Sequence, residues 1–278
     1  MPVITANGIR QNYEVMEPHG TGAAGDVPTL VCLHGLLIDS LASYYFTVAK
    51  ALRDAGLRVL MYDLRGHGNT ECPPAGYRID DFTDDLTALL DALNIAGPVY
   101  LLGNSFGATL AYSFAERHPE RTAGLVSLDS EPATRRWSDV MARVLHRAAT
   151  KLGSIEATLW LTAHYGRDVT RRSKRAKRVL DATTLERELP ASRLLDDALL
   201  STIRCPVLAV YGAESETGLA AQAPLLGSLM PRCTTVILPG QAHSVLVEAP
   251  ATVLDLVLRW IGEHRLDGVG AGTEAQAG

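Results

Sequence analysis

A chain of 278 residues with 47% hydrophobic and 21% charged content carries ample apolar side chain for a large buried core. Its formal net charge of −5 makes no case for a nucleic-acid partner, and no apolar run approaches the roughly 18 to 20 residues of a membrane span. The N-terminus "MPVITANGIRQNYEV" lacks a basic stretch followed by an apolar one, so no signal peptide is expected, and four cysteines without a C-x-x-C pair fit a reduced, cytoplasmic compartment.

The first strand-like segment contains "ITANGIRQNYEV", with Asn7-Gly8 as a hairpin turn. A Gly-rich loop follows, then a strand at 29–35, a helix over 41–56 and a strand at 57–63. An amphipathic helix is expected over 79–97, a strand at 98–104, a helix over 108–119 and a strand at 123–129. Continuous Val- and Leu-rich runs alternating with helices predict a mostly parallel sheet covered on both faces, an α/β fold. From Glu131 to about Ile203 the pattern is helical, with no convincing strand. The alternation resumes with a strand at 205–212, a helix near 217–230, a strand at 234–240 and a last helix at 251–265. This predicts a core made of 1–130 and 204–265, a helical cap inserted at 131–203, and a small, polar, disordered tail at 266–278.

Gly103-Asn104-Ser105-Phe106-Gly107 lies between a strand and a helix. In that context G-x-S-x-G can serve as a nucleophile elbow, a sharp turn that lifts the serine out of the sheet. The Phe106 N–H, at the start of the helix, is then available to an oxyanion. A Gly-flanked turn with a helix-capping serine fits the pentapeptide alone equally well. Three other stretches favour chemistry: "LHGLL" after the strand at 29–35, "YDLRGHGNT" after the next strand, and "LPGQAHSVLVEAP", which puts His243 in a loop before the last helix. In the first, His34-Gly35 would turn the Leu36 N–H toward the reacting centre as a second oxyanion donor.

With these residues the chain resembles the α/β-hydrolase family over roughly residues 27 to 265. Its motifs occur in the family's order, as His34-Gly35, Asp63 to Gly68, Gly103 to Gly107, and Gly240, His243, Glu248 and Pro250. The resemblance implies an eight-stranded, mostly parallel sheet with a helical cap, Ser105 as nucleophile and His243 as its base. It also implies a carboxylate three residues after the glycine that ends "PVLAVYG", but that position is Ser215. Three candidates remain. Glu214 and Glu216 flank the vacant slot. Asp129 ends the strand "AGLVSLD", and one strand away at the same sheet edge is a step of only about 4.8 Å. Asp129 could instead cap a helix, although Ser130 can do that. Some relatives do place the acid after this earlier strand, among them some polyketide-processing thioesterases and cofactor-free dioxygenases, and "LVSLDSEP" looks like that arrangement.

The expected activity is cleavage of an ester or thioester of a medium-sized apolar acyl group through Ser105, His243 and Asp129, in a polyketide-type pathway by the same resemblance. The alternative is base chemistry by His243 and Asp129 on an enol or phenol, for carbon–carbon bond formation or cleavage or for oxygenation. No metal or organic cofactor is expected, because no ligand set clusters in the sequence. His34, Asn104, Trp137 and Trp160 are pocket candidates, with His67, Tyr44, Tyr45 and Phe106 nearby, and Asp63 and Arg65 are expected to buttress the site edge. The run "RRSKRAKR" contributes Arg171, Arg172, Lys174, Arg175, Lys177 and Arg178, either as a solvated helix face or as a dock for an anionic partner such as an acyl carrier protein.

Overall fold

The computed structural model describes residues 1–20, 27–152 and 154–265, apart from the side chains of 155, 157–158 and 160–169. The tail expected to be disordered lies outside the described residues.

The chain opens with the hairpin β1 (Val3–Ala6) and β2 (Ile9–Met16), joined at Asn7-Gly8 with Ala6 opposite Ile9. Then follow β3 (Thr29–Leu33), α1 (Ala42–Tyr45), α2 (Ala49–Asp54), β4 (Arg58–Tyr62), α3 (Ile79–Ala92) and β5 (Val99–Asn104). After β5 come α4 (Phe106–Arg117) and β6 (Thr122–Leu128). Among the described residues, four helices fill the interval before the next strand: α5 (Arg135–Lys151), α6 (Ile155–Ala182), α7 (Leu185–Glu188) and α8 (Asp197–Leu200). The chain ends with β7 (Val207–Gly212), α9 (Ala223–Leu229), β8 (Cys233–Leu238), α10 (Val245–Glu248) and α11 (Pro250–His264).

The helix expected over 41–56 is two short helices. The Thr47 hydroxyl turns back to the carbonyls of Ser43 and Tyr44 at the break, and Phe46 projects into solvent. Local hydroxyl-to-carbonyl bonds of this kind compete with the helical ladder. The helix α10 is too short to leave a periodic signal in the sequence.

The eight strands lie in the order β1-β2-β4-β3-β5-β6-β7-β8, antiparallel only across β1–β2 and β2–β4. Side chains alternate across the sheet. Leu30 and Cys32 pack with α1, α2 and α11 on one face, while Val31 and Leu33 pack with α3 and α4 on the other. This is why the strands read as unbroken apolar runs. The chain passes from β3 outward to β4 and then back across to β5, so strand order reverses beside β3. Crevices at the carboxyl ends of strands form at such reversals. No helix among the described residues is long and apolar enough to cross a membrane.

Candidate active site

The carboxyl ends of β3, β5, β6, β7 and β8, five neighbours in the sheet, bring the chemistry-bearing residues together. Ser105 follows β5 with φ 52° and ψ −124°, a backbone conformation that an L-residue keeps only when its surroundings enforce it. Its N–H donates to the Leu128 carbonyl, and its own carbonyl accepts from the Ala108 N–H. Gly107 lets α4 approach β3: a Cβ there would lie 2.0 Å from the Leu33 carbonyl oxygen.

His243 enters from the loop after β8. That loop is held by the Glu214 N–H donating to the Gln241 carbonyl and by the Ala242 N–H donating to Glu248. It passes so close to the end of β7 that a Cβ on Gly212 would lie 2.3 Å from the Ala242 carbonyl oxygen. His243 Nε2 is 3.1 Å from Ser105 Oγ, and Nδ1 is 2.6 Å from Asp129 Oδ2. A carboxylate only accepts, so Nδ1 carries the proton and the neutral ring leaves Nε2 to accept from the serine hydroxyl.

Asp129 reaches this point because its backbone turns left-handed directly after β6, with φ 45°, while its N–H still donates to the Val210 carbonyl. Aspartate tolerates this region better than most residues. Its side chain is fully buried, and besides the His243 ring three neutral donors meet it: the Gly212 N–H at 3.0 Å on Oδ1, and the Ser215 and Thr217 hydroxyls at 2.6 and 3.4 Å on Oδ2. Glu214 and Glu216, the other acid candidates, are exposed, and neither hydrogen-bonds His243 among the described residues. The position that the family's usual pattern assigns to an acid thus holds a serine bonded to Asp129, the carboxylate at the end of the neighbouring strand. That Ser215 contact went unread in the sequence; a hydroxyl in the vacant slot with Thr217 two residues on is the signal that marks it.

The loop after β3 spends its backbone donors selectively. The Gly35 N–H donates to Asp39 Oδ2, the Leu37 N–H to His67 Nε2, and the Ile38 N–H to the Leu36 carbonyl. Among the described residues, the N–H groups of Leu36 and Phe106 have no partner. Asp39, four residues beyond Gly35, also accepts from Ser40, Ser43 and Asn104, and the sequence reading missed it.

His34 is not a pocket residue. It is fully buried, with Nδ1 donating to the Gly35 carbonyl at 2.7 Å and Nε2 accepting from the Leu64 N–H at 3.0 Å. His67 is bonded in the same way, to the Arg65 carbonyl and the Leu37 N–H. Burial, with the His34 ring centroid 5.2 Å away, pushes the His67 imidazole down to about 4. Tyr44 is likewise structural, its hydroxyl donating to the carbonyls of Leu33 and Leu102. Trp137 is buried on α5, and Asn104 is half-buried beside Ser105 with its side-chain oxygen unpaired. The side chain of Trp160 lies outside the described residues. Asp63 ties together Leu41, Asn12 and Asn69, and Arg65 forms a buried two-point pair with Asp85.

On α6, Ser173, Ala176, Val179 and Leu180 face inward while Arg171, Arg172, Lys174 and Arg178 are exposed. Arg172 reaches the Ile38 carbonyl at 3.4 Å, which puts the basic stretch beside the loop after β3. Among the described residues no group of His, Cys, Asp and Glu is placed to hold a metal ion.

Residues 28–250 match the family described as the alpha/beta hydrolase fold. The pimeloyl-[acyl-carrier protein] methyl ester esterase of Aeromonas hydrophila subsp. hydrophila is 28% identical over 263 residues, covering 86% of this chain and 97% of that protein. A protein of Mycobacterium phage D29 named as a non-heme haloperoxidase is 32% identical over 155 residues, and the chain spans only 52% of its length. A thermophilic esterase from Thermogutta terrifontis superposes with a TM-score of 0.72 at 22% identity, covering 95% of this chain and 98% of that one, a likeness of fold. The strand order, the match over most of the chain and the run of hydrolase and esterase relatives lead to one conclusion: this chain belongs to the alpha/beta hydrolase fold family and is a hydrolase.

Proposed function

We propose that the chain is a serine hydrolase for esters or thioesters of medium-sized, largely apolar acids. The observation that carries this reading is the continuous bonded line from Ser105 Oγ through His243 to the buried Asp129 carboxylate. In this reading His243 takes the serine proton as Oγ attacks the carbonyl carbon, then gives it to the leaving group. Asp129 keeps Nδ1 protonated and stabilises the imidazolium as it forms. The N–H groups of Leu36 and Phe106, the unpartnered donors beside Ser105, hold the oxyanion. Water then attacks the acyl-enzyme by the same base, and the acid departs.

The segment 131–203 acts as a cap over the site, with the core formed by 1–130 and 204–265. The basic face of α6 is a dock for an acidic carrier that presents the acyl group; its place beside the Leu36 loop and the relative named for an acyl-carrier-protein methyl ester support this. A reducing, cytoplasmic setting goes with the four free cysteines.

The test is a turnover screen of aryl esters, acyl thioesters and vinylogous diketones, with fluorophosphonate labelling read by mass spectrometry. Label on Ser105, with turnover abolished in Ser105→Ala, supports the proposal. An active Ser105→Ala beside a dead His243→Ala would replace it with the base chemistry of His243 and Asp129 on an enol or phenol.

A further inference from the structure

We infer that Ser215 is a positioning residue for the acid: it holds from β7 the carboxylate that β6 supplies, and its own position can accept that carboxylate. This rests on the reading of Ser105, His243 and Asp129 given above. Ser215 Oγ lies 2.6 Å from Asp129 Oδ2, the same oxygen that faces His243 Nδ1. The Ser215 hydroxyl is itself fixed, since Thr217 Oγ1 is 2.8 Å away and the Thr217 N–H points to it at 3.4 Å. The backbone is fixed too, because the Ser215 N–H donates to the Gly212 carbonyl and the Gly212 N–H donates to Asp129 Oδ1. The loop after β7 therefore grips both carboxylate oxygens. A side chain at 215 ends within hydrogen-bond distance of the oxygen that faces the imidazole, so a carboxylate carried there would lie in the same neighbourhood.

The hydroxyl does more than orient. It points the positive end of its dipole at the oxygen that His243 uses, and so draws off charge that would otherwise stabilise the imidazolium. Loss of the hydroxyl leaves that charge to His243, which then holds its proton to higher pH. Among the described residues, the other charged or titratable groups linked to this cluster are Tyr211 on β7, Glu131 and Arg136, the latter donating to the Thr217 carbonyl, Asp39 through Asn104, Glu214 and Glu216 beside Ser215, and Glu248 through the Ala242 N–H. Among the described residues none of them hydrogen-bonds the Asp129 carboxylate, so a change at 215 acts on that carboxylate directly.

The experiment compares pH profiles of kcat/KM on a p-nitrophenyl ester for the wild type, Ser215→Ala and Ser215→Thr, alongside Asp129→Asn and the double variant Asp129→Asn/Ser215→Asp. In Ser215→Ala the acid limb should move up by about half a pH unit, while Ser215→Thr, which keeps the hydroxyl, should hold the wild-type limb. The double variant should run at least about tenfold faster than Asp129→Asn, which should be down by about 1,000-fold or more. An unmoved limb in Ser215→Ala, or a folded double variant no faster than Asp129→Asn, overturns the inference. If the double variant does not fold, the comparison of alanine with threonine decides alone. Wild-type turnover in Asp129→Asn would instead bring down the reading of the triad, and the inference with it; a dead Asp129→Asn beside an unmoved limb brings down the inference only.

Discussion

At the scale of single residues, the site depends on backbone conformations that side chains ordinarily avoid. Ser105 and Asp129 both have positive φ, and neither is glycine. Each is held by a backbone bond to a neighbouring strand, Ser105 N–H to Leu128 and Asp129 N–H to Val210. Strain at such positions persists only because the fold over-determines them. The close approach of α4 to β3 is part of that enforcement. Gly107→Ala should therefore cost about 3 kcal/mol or more, because a methyl group would meet a backbone oxygen that cannot yield. A urea midpoint close to wild type for Gly107→Ala would contradict this. Ser105 and His243 stood out in the sequence as candidates because each sits in a short local pattern. Asp129 stood out less: with Ser215 in the acid's usual slot it was one of three candidates beside Glu214 and Glu216, favoured by resemblance to relatives that carry the acid after the earlier strand. The bond from Ser215 to Asp129 joins loops 86 residues apart, and no local pattern encodes it.

At the scale of elements, the strands were readable because burial on both faces leaves them uniformly apolar, and the hairpin because Asn-Gly marks its turn. The break in the helix over 41–56 was not, since it depends on one threonine hydroxyl turning back onto the helix. His34 and His67, expected as groups that could touch a substrate, are instead each locked to backbone groups at both ring nitrogens. The basic stretch was visible as composition, but its place beside the Leu36 loop required the fold. That place gives the carrier proposal a sharp test. Lys174 and Arg178 are exposed on α6. Lys174→Glu/Arg178→Glu should raise KM for an acyl thioester on a carrier protein about tenfold at low salt, and should flatten its salt dependence. Turnover of a small p-nitrophenyl ester should be unchanged, because that substrate does not use the charged face. Equal losses on both substrates would mean that the substitutions disturb the segment itself, and no loss on either would remove the dock.

At the scale of the whole molecule, the buried histidine bracing the loop after β3 makes folding sensitive to acid. His67 is pushed down to about 4 in the folded chain, mainly by burial, against about 6.5 when unfolded. The unfolded chain therefore takes up a proton at this residue at a pH where the folded chain does not. The stability that neutral His67 contributes is fully present above about pH 6.5, falls as the pH drops toward about 4, and changes no further below that. The span amounts to roughly 3 kcal/mol. Burial also pushes the carboxyls of Glu131 and Asp85 up, and these act in the opposite sense, gaining protons in the folded chain first as the pH falls. A single melting curve would mix these effects, so the measurement is a difference. His67→Gln keeps an acceptor for the Leu37 N–H but cannot titrate. Its melting temperature should lie below the wild type at pH 7.5, where some packing and bonding are lost, and the gap should close by several degrees as the pH is lowered to about 4.5. A gap that stays constant across that range would show that proton uptake at His67 is not what couples this fold to pH.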